Sequence, residues 1–340
     1  MENSPPPRQI RVKDDEESRA TASYFITRSV CPACTSADVR RIYSSSFAAP
    51  PISEYLERYY SGRAQFEYLR DTDFTLERCA DCGLVYQKHI PGRLLSELLY
   101  ENWIHPGQTR EYAMRQTDLR YFSRCAQEIM TILAFFKTEP GRLAFFDFGM
   151  GWGSWCRMAR AFGCDVYGSE LSQARIDHAA SQGIHALSWD EIPRHAFDVI
   201  NTDQIFEHLP EPYDVLRHLA RALKPGGLIK IHVPGGADIT RRLKIADWTA
   251  PRETKNSLHP VTPLEHINCY TKTALIKLAA RAGLEPVRIP LHLQYAFATH
   301  WWPPKEGLKN CIRPIYRDRL GRGNYLYFFF RAKPGPKSAP

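Results

Sequence analysis

No stretch of this chain approaches the ~20 consecutive apolar residues that a bilayer-spanning helix needs, and the opening MENSPPPRQIRVKDDEESRA holds no signal-peptide core. A membrane span and a secretory signal are thereby set aside, and a cytoplasmic location is expected by default. Absent too is any block of like charge. The formal net charge is +8, yet Lys and Arg are spread along the chain and interrupted by acids, so a mildly basic surface is the plain reading and nucleic acid is not the expected partner. What is present is ordinary for a globular protein: 44% hydrophobic and 24% charged residues in 340, enough for one large domain and a smaller one. Residues 1 to 22 and 333 to 340 are polar and proline-bearing and read as disordered tails.

The richest stretch is LAFFDFGMGWGSWCRMARAFGCDVYGSE, Leu143 to Glu170. Leu143 to Phe148 is a short apolar run carrying the acid Asp147, the pattern of a strand buried on both faces of a parallel sheet. Gly149, Gly151 and Gly153 follow at alternate positions, where a missing Cβ permits positive φ and lets backbone N–H groups approach a ligand. Trp155 to Phe162 has helical spacing and stops at Gly163, and a second strand, Asp165 to Gly168, delivers Ser169 and Glu170. An acid there, 21 residues after Gly149, can accept from the two hydroxyls of a ribose lying across the glycine turn. The dinucleotide fingerprint lacks its third glycine: Ser154 or Cys156 stands at that place, depending on register. DFGMGWG instead resembles motif I of the class I S-adenosylmethionine-dependent methyltransferases. An ordinary strand–helix turn without a ligand is the plainer alternative for the glycines alone.

Further on, FDVI, EHLPEP and LKPGG follow in the order and spacing of the same broad group, over about residues 140 to 335. The resemblance implies an α/β fold, a Rossmann-like seven-stranded sheet whose last strand, NYLYFFFRA, runs antiparallel beside the fifth. It implies S-adenosyl-L-methionine as cofactor, with Asp147, the three glycines and Glu170 around it. Trp189 and Asp190, ending the strand IHALSW, would flank the adenine, and Asp203 and Gln204 the methionine part. Glu207 and His208 would begin a helix facing the reacting methyl. For Trp189 a place in the core is an equal alternative. Residues 234 to 262 read as an inserted loop of the kind that builds an acceptor pocket. The amphipathic segment Arg110 to Phe136 reads as a connecting helix packed on the sheet, with Tyr112 and Arg115 as lid candidates.

Four of nine cysteines are paired as Cys31-Pro-Ala-Cys34 and Cys79-Ala-Asp-Cys82. Two such knuckles can present four thiolates tetrahedrally to one Zn²⁺, a structural ion because no position is left open; a redox or disulfide site is the alternative. The module of residues 23 to 105, zinc-ribbon-like but with 44 residues between its knuckles, resembles the N-terminal zinc-binding module of sugar C-methyltransferases and glycan-cluster methyltransferases. The methyltransferase domain itself is expected over residues 140 to 332, after a connecting helix within 106 to 139.

Methyl transfer from a sulfonium is an in-line displacement whose leaving group needs no acid, so one base suffices where the acceptor carries a proton. His208 and His266, each preceded by a glutamate (Glu207, Glu265), are the candidates, and Tyr270 would share the face of His266 if that segment is helical. Either histidine reads equally well as a helix cap or pocket lining. Three function classes follow. The first is methyl transfer to a sugar, nucleotide sugar, glycan or secondary metabolite. The second is an RNA methyltransferase with the zinc module as clamp, although Asn201-Thr202-Asp203-Gln204 replaces the N/D-PP-Y/F motif used on exocyclic amines. The third is a non-catalytic scaffold.

Overall fold

A computed structural model describes residues 24–104, 118–297, 304–315 and 325–333. The expected disordered tails and Tyr112 and Arg115 lie outside them, apart from Lys333. The N-terminal part contains β1 (Phe25–Thr27), β2 (Val39–Ser46), α1 (Ile52–Tyr59), β3 (Asp73–Cys79), β4 (Val85–Gln87), β5 (His89–Pro91) and α2 (Arg93–Leu98). Then come α3 (Leu119–Phe136), β6 (Ala144–Phe148), α4 (Ser154–Ala161), β7 (Asp165–Ser169), α5 (Gln173–Ser181), β8 (His185–Ala186), β9 (Phe197–Asp203), α6 (Pro212–Arg221) and β10 (Leu223–Pro234). The chain finishes with α7 (Ile239–Ile245), β11 (Asn268–Cys269), α8 (Lys272–Arg281), β12 (Leu284–Val287), α9 (Leu291–Ala296), α10 (Pro304–Pro314) and β13 (Tyr325–Ala332).

Seven strands form one sheet in the order β12-β13-β10-β9-β6-β7-β8. All neighbours are parallel except β13, which is antiparallel to both β10 and β12. This is the Rossmann-like seven-stranded α/β sheet that the resemblance implies, its last strand antiparallel beside β10. Because the side-chain period of a strand is two, Phe145 and Phe146 face opposite cores. Phe146 joins Ile200, Ile229 and Ile231 against Leu216 and Leu219 of α6 and Leu275 and Leu278 of α8. Phe145 joins Val199 and Leu228 against Ile129 of α3 and Trp155 of α4. Helix α3 begins at Asp118, whose carboxylate accepts from the Tyr121 N–H at 2.8 Å, and ends at Lys137 with φ 53°.

Strand order reverses between β6 and β9, so the carboxyl ends of these two strands open a crevice, the place where ligands sit in open α/β sheets. The N-terminal part packs against the segments that follow β10. A second sheet has the order β11-β4-β3-β2, and its edge strand β11 arrives from the far side of the chain. A core of Phe47, Leu56, Phe74 and Trp103 takes in Ile239, Leu243 and Trp248 from the segment after β10. Residues 234 to 262 are therefore partly helical, through α7, and packed on the N-terminal sheet.

Candidate functional site

The glycine turn after β6 is closed against its neighbours at two positions and open at the third. Gly149, Gly151 and Gly153 have φ of 74°, 55° and 70°, the left-handed region that disfavours side chains. A Cβ on Gly149 would stand 2.4 Å from Ile205 Cδ1, and one on Gly153 2.8 Å from Ile184 Cδ1. At Gly151 a Cβ would meet nothing within 4 Å. The turn is thus open on the side of Gly151. Glu170, leaving β7, folds its carboxylate over the turn: Oε2 accepts from the Gly151 N–H at 3.0 Å, and Oε1 from Leu171 and Ser172 at 2.9 and 3.1 Å. Arg175 lies 3.5 Å from it.

Asp147 is engaged within the sheet. Its Oδ1 accepts from Asn201 Nδ2 at 2.7 Å and its Oδ2 from the Cys156 thiol at 3.7 Å. Burial raises its pKa to about 7, against the opposing hydrogen bond from Asn201. Trp189 and Asp190 fall in a turn beyond β8, which is only His185–Ala186 and so ends short of the expected strand. At Ser188 the chain is held by Glu191 Oε2, which accepts from its N–H at 2.8 Å and its hydroxyl at 2.6 Å. One face of the Trp189 indole stacks on His218 at 3.7 Å and 6°, while the residue is 44% exposed. Asp190 is exposed.

At the end of β9, Asp203 meets His232 Nδ1 at 2.8 Å and Lys230 Nζ at 3.5 Å. Burial opposes its charge, but His232 and Lys230 hold its pKa below the usual carboxylate range. Gln204 is held at φ 56°, its N–H bonded to the His232 carbonyl at 2.9 Å. Left-handed backbone in a side-chain-bearing residue costs of order 1–3 kcal/mol and persists where the surrounding structure fixes it. Sequence reasoning missed the network behind these residues. Lys230, 2% exposed, gives its ammonium to Glu128 Oε1 at 2.7 Å, and Glu128 also accepts from Trp155 Nε1 at 2.9 Å and the Tyr327 hydroxyl at 2.7 Å. The available signal was a lysine inside the apolar run LIKIHV, since an interior strand position holds an ammonium only with a partner.

The second half of the crevice gathers histidines. Glu207 and His208 lie in the 3-10 turn Phe206–His208 instead of starting a helix, because Pro210 and Pro212 bias the residues before them to extended backbone and α6 begins only at Pro212. His266 comes to them from the segment before β11, its ring 4.9 Å from that of His208 and 4.5 Å from that of His259. This segment is not helical. Asn268 and Cys269 pair with β4, so the helical spacing that would bring Tyr270 onto the face of His266 is absent; Tyr270 is fully buried, its hydroxyl 3.4 Å from the Phe206 carbonyl. The fixing groups come from the N-terminal part. Gln87 Nε2 donates to the carbonyls of Thr262 and His266 at 2.9 and 3.1 Å, and its Oε1 accepts from the Leu264 N–H at 3.1 Å. Tyr60 donates to Glu265 Oε1 at 2.8 Å, and the buried Arg28 reaches Asn268 Oδ1 at 2.9 Å and the Pro210 carbonyl at 3.0 Å.

Both imidazoles are tied at Nδ1, His208 to the Glu265 carbonyl at 3.0 Å and His266 to the His259 carbonyl at 2.6 Å. A carbonyl only accepts, so Nδ1 carries the proton and Nε2 keeps its lone pair in the neutral ring. Burial lowers the pKa of His208 to about 4 and that of His266 well below its usual value, so both are neutral at pH 7. Glu207, 1% exposed, has no partner for either carboxylate oxygen among the described residues, and burial pushes its pKa well up.

Cys31, Cys34, Cys79 and Cys82 also converge. Their sulfurs lie within 4.8 Å of one another, Cys31 to Cys82 at 3.6 Å and Cys34 to Cys79 at 3.4 Å, the spacing of a tetrahedron of thiolates around one ion. Each knuckle turns through a left-handed residue just after its second cysteine, Thr35 at φ 61° and Gly83 at φ 76°. Helix α8 docks both, Lys277 donating to the Asp81 carbonyl and Arg281 to that of Ala33.

The family described as Methyltransferase domain matches residues 118–289, just over half of the chain. This chain belongs to that family. The methyltransferase domain resembles the ubiquinone biosynthesis O-methyltransferase of Maricaulis maris, 28% identical over 172 residues, which are 45% of this chain and 63% of that protein. The corresponding enzyme of Ralstonia nicotianae is 31% identical over 179 residues, 45% of this chain and 70% of that protein. The chain thus spans under two thirds of the Maricaulis relative's length. Among solved structures, the plantazolicin methyltransferase BpumL in complex with SAH is similar at 15% identity and TM-score 0.44, over 70% of this chain and 94% of that one. An S-adenosylmethionine-dependent methyltransferase from Mesorhizobium loti is similar at 17% identity and TM-score 0.38, over 58% and 95%. Among the described residues no helix is long and apolar enough to cross a membrane.

Proposed function

We propose that the protein transfers a methyl group from S-adenosyl-L-methionine to an oxygen of a small-molecule acceptor. The observation that carries this reading is the open cradle at Gly151 beneath the Glu170 carboxylate, at the switch point of a methyltransferase-family sheet. On binding, Glu170 exchanges its bond to the Gly151 N–H for the ribose hydroxyls, Trp189 offers its free face to the adenine beside Asp190, and Asp203 and Gln204 meet the methionine end. Asp147 acts from behind, fixing Asn201 and the turn. The cofactor supplies an electrophilic methyl on sulfur; the chain's own part is to hold donor and acceptor in line and exclude water. Oxygen as the acceptor atom is supported by the O-methyltransferase relatives. A sugar or glycan hydroxyl falls within this class on the resemblance of the cysteine module, and a phenolic hydroxyl on the relatives. The four cysteines hold a structural Zn²⁺ in this reading, and the module of residues 23 to 105 forms the acceptor-side wall.

The test is purified protein with methyl-labelled S-adenosylmethionine against three pools: phenols and catechols, nucleotide sugars, and bulk RNA. Label is expected in one of the first two. Label confined to RNA would establish the clamp reading instead, and cofactor binding by calorimetry with no transfer to any pool would favour a scaffold.

A further inference from the structure

We infer that Glu207, His208 and His266 form a second metal site, for one divalent transition ion held through a carboxylate oxygen and two imidazole nitrogens on the acceptor side of the crevice. The inference rests on the methyl-transfer reading for its use and on geometry for its existence. One ligand atom from each of the three lies within 4.8 Å of the others. Metal–ligand bonds of about 2.0–2.1 Å place tetrahedral neighbours ~3.3 Å apart, so binding needs the three to close by up to about 1.5 Å. Two nitrogens and one carboxylate with positions left for other ligands is a donor set of catalytic zinc and of non-haem iron.

Three independent features prepare it. Both histidines donate Nδ1–H to a backbone carbonyl, the outer bond that fixes tautomer and ring plane in metal-bound imidazoles, and this aims two Nε2 lone pairs away from those carbonyls. Glu207 is buried with both oxygens unpartnered among the described residues, an arrangement that costs stability unless a cation or a proton completes it. Arg28 and Asn268 do not complete it: Arg28 donates to Asn268 and to the carbonyls of residues 209, 210 and 267, and Asn268 to the carbonyls of residues 206 and 209. The ligand-bearing loop is held by Gln87 and Tyr60, so the site is fixed from outside its own elements.

In use, the acceptor hydroxyl binds the ion through oxygen and releases its proton to solvent. The oxygen then attacks the methyl carbon as the carbon–sulfur bond breaks, giving the methyl ether and S-adenosylhomocysteine. The imidazoles hold the ion and take no proton.

Equilibrium dialysis of the full-length protein against micromolar Zn²⁺, after chelator treatment, decides the matter. Two ions per chain are expected in the wild type and one in Glu207→Gln and in His266→Ala, with the affinity of the second site lowered at least tenfold. Calorimetry with S-adenosylmethionine on the same samples should show unchanged cofactor affinity. A wild type that takes up only the ion of the four cysteines overturns the inference, as does a second ion retained in both variants. A second ion lost in the variants, in a protein that neither binds S-adenosylmethionine nor transfers methyl, upholds the site and overturns the methyl-transfer reading.

Discussion

The two sides of the crevice are built by opposite means. On the proposed cofactor side, the bond that closes the glycine turn links Gly151 to Glu170, 19 residues apart, and every turn residue lies between two adjacent strands of one sheet. On the proposed acceptor side, His208 is tied to Glu265 across 57 residues, His266 to Gln87 across 179, and Asn268 to Arg28 across 240. The first side is built mainly within one segment, from β6 through α4 to β7. The second exists only when the N-terminal sheet, the turn after β9 and the segment before β11 have all assembled. Damage to the N-terminal part should therefore separate the two functions, sparing cofactor binding and abolishing transfer.

Cys79→Ser is the severest way to test that separation. Cys79 ends β3, is fully buried, and faces Cys34 at 3.4 Å. Because metal binding is coupled to folding, loss of one thiolate should cost several kcal/mol and lower the thermal midpoint by roughly 10 °C, with zinc lost in elemental analysis. Well below that midpoint, calorimetry should still detect S-adenosylmethionine while methyl transfer is gone. If cofactor binding disappears together with transfer, the two sides are one cooperative unit and the contrast between them is broken.

The same contrast explains what the sequence reveals. Gly149, Gly151, Gly153 and Glu170 are legible because period-two strands and glycine spacing are local signals, whereas the seven-stranded sheet with its antiparallel β13 is expected only through the family resemblance. The cysteine pairs are legible for the same reason: each knuckle is four residues long. Glu207, His208 and His266 can be listed from the sequence as candidates, but their meeting cannot, since nothing near His266 announces that Asn268 and Cys269 will add to β4. Tyr270 shows the cost, a helical spacing assumed where an edge strand runs. The burial of Lys230 against Glu128 is hidden similarly, one partner lying in α3 and the other in β10.

Glu170→Ala sharpens the local side. The carboxylate bonds three backbone N–H groups of the turn and its own loop, and charge-assisted bonds of this kind are worth about 1.5–3 kcal/mol. Cofactor affinity should fall roughly tenfold or more. The zinc content should stay that of the wild type, because the bonds of Glu170 run to the glycine turn, its own loop and Arg175, while the thermal midpoint falls by a few degrees through loss of those bonds. Unchanged affinity in calorimetry would remove Glu170 from the cofactor site.

The mildest expected effect is a pH dependence seated at Asp147, on the sheet beneath the glycine turn. Burial raises this carboxyl from its usual range to about 7, with the Asn201 hydrogen bond acting against the rise. The folded protein therefore keeps a proton that the unfolded chain releases near pH 4, and the stability so gained is complete below pH 4 and is lost as pH climbs to about 7. Asp147→Asn has no such proton. The unfolding free energy of the variant relative to the wild type should accordingly rise between pH 4 and pH 7, by at most a few kcal/mol, and level off above. Denaturant titrations across that range measure it directly. A flat difference would mean that the Asn201 hydrogen bond and the nearby Lys230 outweigh burial and leave Asp147 ionised throughout, the acid then serving as a fixed negative charge beneath the cofactor.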